Sequence, residues 1–260
     1  PGLEAALTAE AKAVGFGPLR PAAGGGAFDG GWPEVWRANL CLRGAARVLA
    51  RIGGFPAVHL AQLDKRARKF PWGEVLRPDQ GVRVEAISRK SRIYHGGAAR
   101  ERVERAISET LGAPVSDDGV RLLVRIEENL VSFSVDTSGE PLHRRGHKEE
   151  VGKAPMRETL AAMFLRECGY TGEEPVIDPM CGSGTFVLEA AEIAMGLLPG
   201  RTRRFDFERL ASFDAAAWEA MKRGAARRDA RGRRDRRHAP RGVRAPAARL
   251  LRAWLRVARA

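Results

Sequence analysis

Cysteine is scarce: Cys41, Cys168 and Cys181 are scattered and odd in number. That excludes a disulfide framework and a Cys-x-x-Cys metal site, and it points to a reducing, cytoplasmic setting. His143 and His147 are the only histidines close in sequence. With no cysteine or carboxylate cluster at zinc spacing beside them, they read as linker surface groups, and no metal is expected. Apolar runs of the ~18 residues that span a bilayer are missing, as is a charged-then-apolar leader, so no membrane partner is expected. No repeat of solenoid period occurs, and the dipeptide Pro-Pro is absent altogether. Because residue 1 is proline, the natural start is expected upstream.

What is present is a chain of 260 residues, 44% hydrophobic, with room for two soluble domains. Its net charge of +13 sits in one place: residues 222–260 hold 14 Arg, one Lys and two Asp, so the preceding 221 residues carry 30 basic and 30 acidic groups. Binding of nucleic acid by the body must therefore rest on local clusters. From Lys222 onward there is no Ser, Thr, Asn, Gln, Glu, Ile, Phe, Tyr, Cys or Met, and arginine and alanine dominate. This stretch reads as a shifted frame through GC-rich DNA, which would leave the chain inactive as written. The alternative is a basic, disordered arm with a short helix over Leu250, Leu251, Trp254 and Leu255.

Apolar periodicity predicts helices over 1–15 and Trp32–Ile52, with a turn-rich connector from Gly24 to Gly31 between them. A helical segment Leu60–Phe70, a half-buried strand Val82–Ser88 and a helix striped by Val103, Ile107 and Leu111 follow. Val120–Glu127 and Leu130–Asp136 form a hairpin across Glu128-Asn129. A helix starting in Lys153–Leu160 places Pro155 at its first turn and Leu160, Met163, Phe164 and Cys168 on its apolar face. The run Glu174–Asp178 then ends as a strand, Pro179–Thr185 loops through two glycines, and Phe186–Leu198 is an apolar helix charged only at Glu189 and Glu192. Such a strand-loop-helix unit builds a ligand crevice at the carboxyl end of a strand. Gly182 and Gly184 admit a ligand to the backbone, and the first helical N–H groups face any anionic group there.

Three other glycine loops fail on the residues. A dinucleotide fingerprint needs glycine where Val187 stands, a P-loop needs Gly-Lys-Ser/Thr, and a nucleophile elbow at Ser183 needs glycine at Cys181 and Thr185. Asp178-Pro-Met-Cys-Gly-Ser-Gly-Thr185 instead resembles the S-adenosylmethionine loop of class I methyltransferases. More narrowly, the chain resembles the THUMP-bearing guanine-N2 methyltransferases of 23S ribosomal RNA, a family often labelled N6-adenine-specific DNA methylase. The resemblance covers about residues 1–221 and is most specific at Ser138–Lys153 and Ile177–Glu189.

The resemblance implies an α/β and α+β architecture, with a ferredoxin-like and THUMP region followed by a truncated start of a Rossmann-like methyltransferase domain. The implied divisions are a partial ferredoxin-like region at 1–36, THUMP at 37–150, methyltransferase at 151–221 and the tail at 222–260. S-adenosylmethionine is the implied cofactor, held by Asp178, Pro179, Cys181, Gly182, Ser183, Gly184 and Thr185, with Arg157, Glu158 and Thr159 from the adjoining helix. The family's Asn/Asp-Pro-Pro-Tyr/Phe catalytic motif has no counterpart here, and neither does a ribose-gripping acid, because Asp206 and Glu208 follow no strand. Structured ribosomal RNA is the implied partner. Arg66, Arg68, Lys69, Arg89, Lys90, Arg92, Tyr94, His95, Arg144, Arg145 and Lys148 are its candidate contacts, since guanidinium forks and stacked aromatics bind phosphates and unpaired bases. Two rivals stay open: a non-catalytic RNA-binding remnant, and a DNA adenine methylase.

Overall fold

The computed structural model describes residues 2–22, 24–145 and 156–225. They fold as two compact units, one drawn from the described residues within 1–46, 141–203 and 216–225, the other from 47–140 and 204–215. In chain order the elements are α1 (Glu4–Ala13), β1 (Arg20–Ala22), β2 (Gly25–Ala27), α2 (Trp32–Cys41), β3 (Leu49–Pro56), α3 (Leu60–Ala67), β4 (Val82–Arg89), α4 (Gly96–Leu111), β5 (Val120–Glu127), β6 (Leu130–Asp136), α5 (Glu158–Glu167), α6 (Thr185–Ala194) and α7 (215–225). No helix among the described residues is long and apolar enough to cross a membrane.

The second unit is built on a sheet of order β3-β6-β5-β4. Pairing is antiparallel except between β4 and β5, a parallel pair that needs a crossover, which α4 supplies. Strict alternation puts Val120, Leu122, Val124 and Ile126 of β5 and Val131, Phe133 and Val135 of β6 in the core. Buried residues of α3 (Leu63, Ala67) and α4 (Ala99, Val103, Ala106, Ile107) complete it. Phe133 is wholly buried and meets Phe55, Phe70 and Trp72 at ring-centroid distances of 5.5, 5.0 and 4.9 Å. The β5–β6 turn has left-handed φ at both Glu128 (50°) and Asn129 (66°), the twist that suits a two-residue hairpin.

Residues 204–215 close this unit, although in sequence they follow α6. The Phe207 N–H donates to the Thr137 carbonyl (3.1 Å), the Ala211 N–H to the Val75 carbonyl (2.9 Å), and the Phe207 ring is fully buried. The stretch expected to be methyltransferase therefore contributes a strap to the sheet unit.

In the first unit, α5 packs on α6 and α1 on α5. The buried Glu10 carboxylate of α1 accepts the N–H groups of Arg43 and Gly44 at 2.7 and 3.0 Å. Burial is the largest influence on Glu10 and raises its pKa above 4.5, outweighing those two N–H bonds. Arg37 lies over the Phe16 ring, 4.0 Å from its centroid.

Several expectations need correction. The helix from Trp32 stops at Cys41, because Leu42 is extended (ψ 120°) and Leu49–Pro56 is drawn into pairing with β6. Gly25–Ala27 of the connector is one strand of a small hairpin. The expected 36/37 division falls inside α2, whereas the compact units divide after Ala46. α5 begins at Glu158, and its buried residues are Thr159, Ala161, Ala162, Met163 and Leu165; Leu160, Phe164 and Cys168 are exposed. Residues 174–178 form no strand, since no described segment supplies the ladder partner a strand requires. Pro155, His147 and Lys148, like the tail beyond Ala225, lie outside the described residues.

Candidate cofactor loop and RNA-contact surface

The glycine loop turns by local bonds. Asp178 accepts the Met180 N–H on Oδ1 (3.1 Å), and the Gly184 N–H donates to the Cys181 carbonyl (2.8 Å). Gly182 and Gly184 have φ of 51° and 72°, the left-handed region where a side chain is strained. Gly184 is the N-cap of α6 and carries no side-chain cap, so the first N–H groups of that helix have no side-chain acceptor at the cap position. Pro179, Met180, Cys181 and Gly182 are exposed, and an ideal Cβ at Gly182 would meet no atom within 4 Å. Ser183 and Thr185 place their hydroxyls 3.4 Å apart, and Thr185 Oγ1 reaches the Met156 carbonyl just ahead of α5 at 3.4 Å. Arg157 is the exposed N-cap of α5, Glu158 is half-buried and Thr159 is buried. The loop and the start of α5 are thus brought together.

These residues fit one end of S-adenosylmethionine. An uncapped ten-residue helix with exposed loop N–H groups suits its carboxylate, and open backbone at Gly182 allows close approach. A ribose-gripping acid is not supplied by Asp206 or Glu208. Asp206 belongs to the sheet unit, where burial raises its pKa most strongly and Arg209 opposes that shift. Glu208 accepts the Phe205 N–H at 2.9 Å. Among the described residues no group of three or more His, Cys, Asp or Glu could hold a metal.

The RNA candidates divide into tied and presented groups. Arg66 donates to the Pro56 carbonyl, and Arg68 is paired with Asp64 (2.9 Å) and with Glu109, whose bonds raise its pKa further. Lys69 is exposed, as is Arg144. Arg145 is a correction: it is 3% exposed, and its Nε donates to Glu189 Oε1 at 2.5 Å, so it has no face to offer RNA. Arg89, Lys90 and Arg92 are exposed, Tyr94 is 74% exposed, and its ring lies 4.1 Å from that of His95. Ser91 and Asn129 hold this loop in shape. Asn129 Oδ1 accepts the Arg92 N–H at 2.9 Å, and its own N–H donates to Ser91 Oγ at 3.0 Å. The sequence marked Asn129 only as a turn residue and gave no sign of Ser91, although an Asn at a tight turn is a signal for such a side-chain role.

Comparison with known proteins finds relatives in both sequence and structure. A profile of the RMKL-like methyltransferase domain matches residues 145–243, running past the composition change at Lys222, and one of the RlmL ferredoxin-like domain matches residues 1–49. Protein slr0064 of Synechocystis sp., provisionally described as an RNA methyltransferase, is 31% identical over 85% of this chain and 60% of its own length. The ribosomal RNA large subunit methyltransferase K/L of Psychromonas ingrahamii is 31% identical over 86% of this chain and 31% of its own. A Listeria monocytogenes protein provisionally described as an N6-adenine-specific DNA methylase superposes with a TM-score of 0.78 at 31% identity, over 87% of this chain and 61% of that one. SMU.472, provisionally described as a methyltransferase and solved with SAH, gives 0.73 at 28% identity over 87% and 62%. The chain therefore spans less than two thirds of each of these relatives. With its cofactor-type loop and both profile matches in one chain, it is similar to the RMKL-like methyltransferases over residues 145–243 and to the RlmL ferredoxin-like domain over residues 1–49, and its solved structural relatives are methyltransferases by description.

Proposed function

We propose that this chain holds S-adenosylmethionine at Asp178–Thr185 and engages structured ribosomal RNA through Arg89–His95, within a cytoplasmic protein that methylates the exocyclic N2 of a guanine. The observation that carries this reading is the uncapped N-terminus of α6 behind two left-handed glycines. The cofactor, when bound, supplies a methyl group on a sulfonium for in-line displacement by an amine. The chain's own part is placement. The α6 N–H groups take the carboxylate, Asp178 holds the loop closed through the Met180 N–H, and the starts of α5 and α6 meet at Met156 and Thr185. On the sheet unit, Arg89, Lys90 and Arg92 offer donors to phosphates, and the exposed Tyr94 ring offers a stacking face to an unpaired base.

The test is a salt titration of RNA affinity on a chain ended at Ala225, so that the arginine-rich tail does not mask the loop. Each phosphate contact contributes roughly 0.7–0.9 to the slope of log affinity against log salt, so Lys90→Ala with Arg92→Ala should lower it by about 1.5. An unchanged slope would overturn the RNA surface. Equal preference for duplex DNA would favour the DNA-methylase reading instead.

A further inference from the structure

Beyond Thr185, α6 is apolar apart from Glu189 and Glu192, and both glutamates are buried. Buried carboxylates in a helix interior are costly unless cations neutralise them. Three arginines from separate parts of the first unit do so. Arg145 Nε donates to Glu189 Oε1 (2.5 Å), its Nη1 to the Leu142 carbonyl (3.2 Å) and its Nη2 to the Arg43 carbonyl (2.9 Å), with Glu189 Oε2 at 3.5 Å. Arg43 Nη1 donates to Glu189 Oε2 (3.0 Å) and Glu192 Oε2 (3.3 Å), and its Nη2 to the Leu197 carbonyl. Arg201 adds Glu192 Oε1 at 2.6 Å and the Leu198 carbonyl at 2.8 Å.

From this juxtaposition we propose that Arg145 and Arg43 are positioning residues for the cofactor loop, locking α6 along its axis so that its N-terminal N–H groups stand where the cofactor's carboxylate binds. The inference rests on the cofactor reading above. Glu189 lies four residues, about one turn, into a helix whose first residue, Thr185, ends the loop. A guanidinium is planar, and Arg145 spends its donors on three different segments: α6, the Leu142 turn and the chain after α2. Bonds in several fixed directions hold a helix against sliding and rotation, which a single charge at that position would not do. Lysine keeps the charge but lacks the fork.

The experiment is calorimetric titration of the full 260-residue chain with S-adenosylhomocysteine, well below its melting temperature. Arg145→Lys should raise Kd between about tenfold and a hundredfold, the scale of a helix displaced by an ångström, while RNA affinity stays at the parent value. Because removing only one partner of a buried ion pair is strongly destabilising, the second variant is Arg145→Met with Glu189→Met, which removes both charges together. It should fold and still bind weakly. A lowered melting temperature with parental Kd in both variants would make the network purely structural and overturn the proposal. So would a loss of RNA affinity with cofactor affinity intact, since Arg145 would then act on RNA. Absence of binding by the unmodified chain would overturn the cofactor reading, and this inference with it.

Discussion

The β5–β6 hairpin and the segment 174–185 began as the same kind of sequence signal, an apolar run next to a turn, and ended differently. Every second residue of β5 is buried, and both neighbours in the sheet bond to its backbone. In the other segment Ile177 is 87% exposed, Met180 90%, and no ladder forms. Apolar character proposes a strand, but only a partner within reach satisfies the N–H and C=O groups and makes one. The loop after it needs no ladder, because its turn is closed by Asp178 and by the Cys181 carbonyl.

The comparison is broken most forcefully in the sheet. Phe133→Ala removes a wholly buried ring packed against three aromatics and should cost about 3–5 kcal/mol, visible as a large loss of denaturant midpoint for that unit. A cost below about 1 kcal/mol would mean that the core is looser than this packing implies. Next comes Gly184→Val, which forces a β-branched residue toward a φ of 72° and should cost about 1–2 kcal/mol at the loop. It should abolish S-adenosylhomocysteine binding while leaving RNA affinity alone.

A pH profile sharpens the account of the first unit. The raised pKa of Glu10 means that its contribution to stability is fully present below 4.5 and is lost as pH rises through the higher folded value. Glu10→Gln should flatten that decline in chemical denaturation measured between pH 4 and 7; a profile parallel to the parent's would contradict the cause assigned to the shift. At the small end, Ile177→Ser should change stability by no more than about 0.5 kcal/mol. A larger loss would show that Ile177 is covered in solution.

Where local rules decide, the sequence was legible. Period-two alternation marked β4, β5 and β6, Glu128-Asn129 marked the turn, and the stripe of Val103 and Ile107 marked the buried side of α4. β3 was missed because Leu49–Pro56 contains Gly53, Gly54 and Pro56 and alternates poorly, so its strand depends on β6, far along the chain. In the candidate site, the glycine loop was readable because its residues act on their own backbone. The pair Arg144-Arg145 was not, since adjacent arginines look alike until the fold exposes one and buries the other. Glu189 and Glu192, two carboxylates on an apolar helix, were the available clue that buried cations had to exist somewhere else in the chain.

The most direct test of the central claim is titration of the 260-residue chain with S-adenosylhomocysteine, beside Gly184→Val. The account predicts saturable, one-to-one binding by the parent chain and none by the variant. No binding by the parent, or equal binding by both, would contradict it.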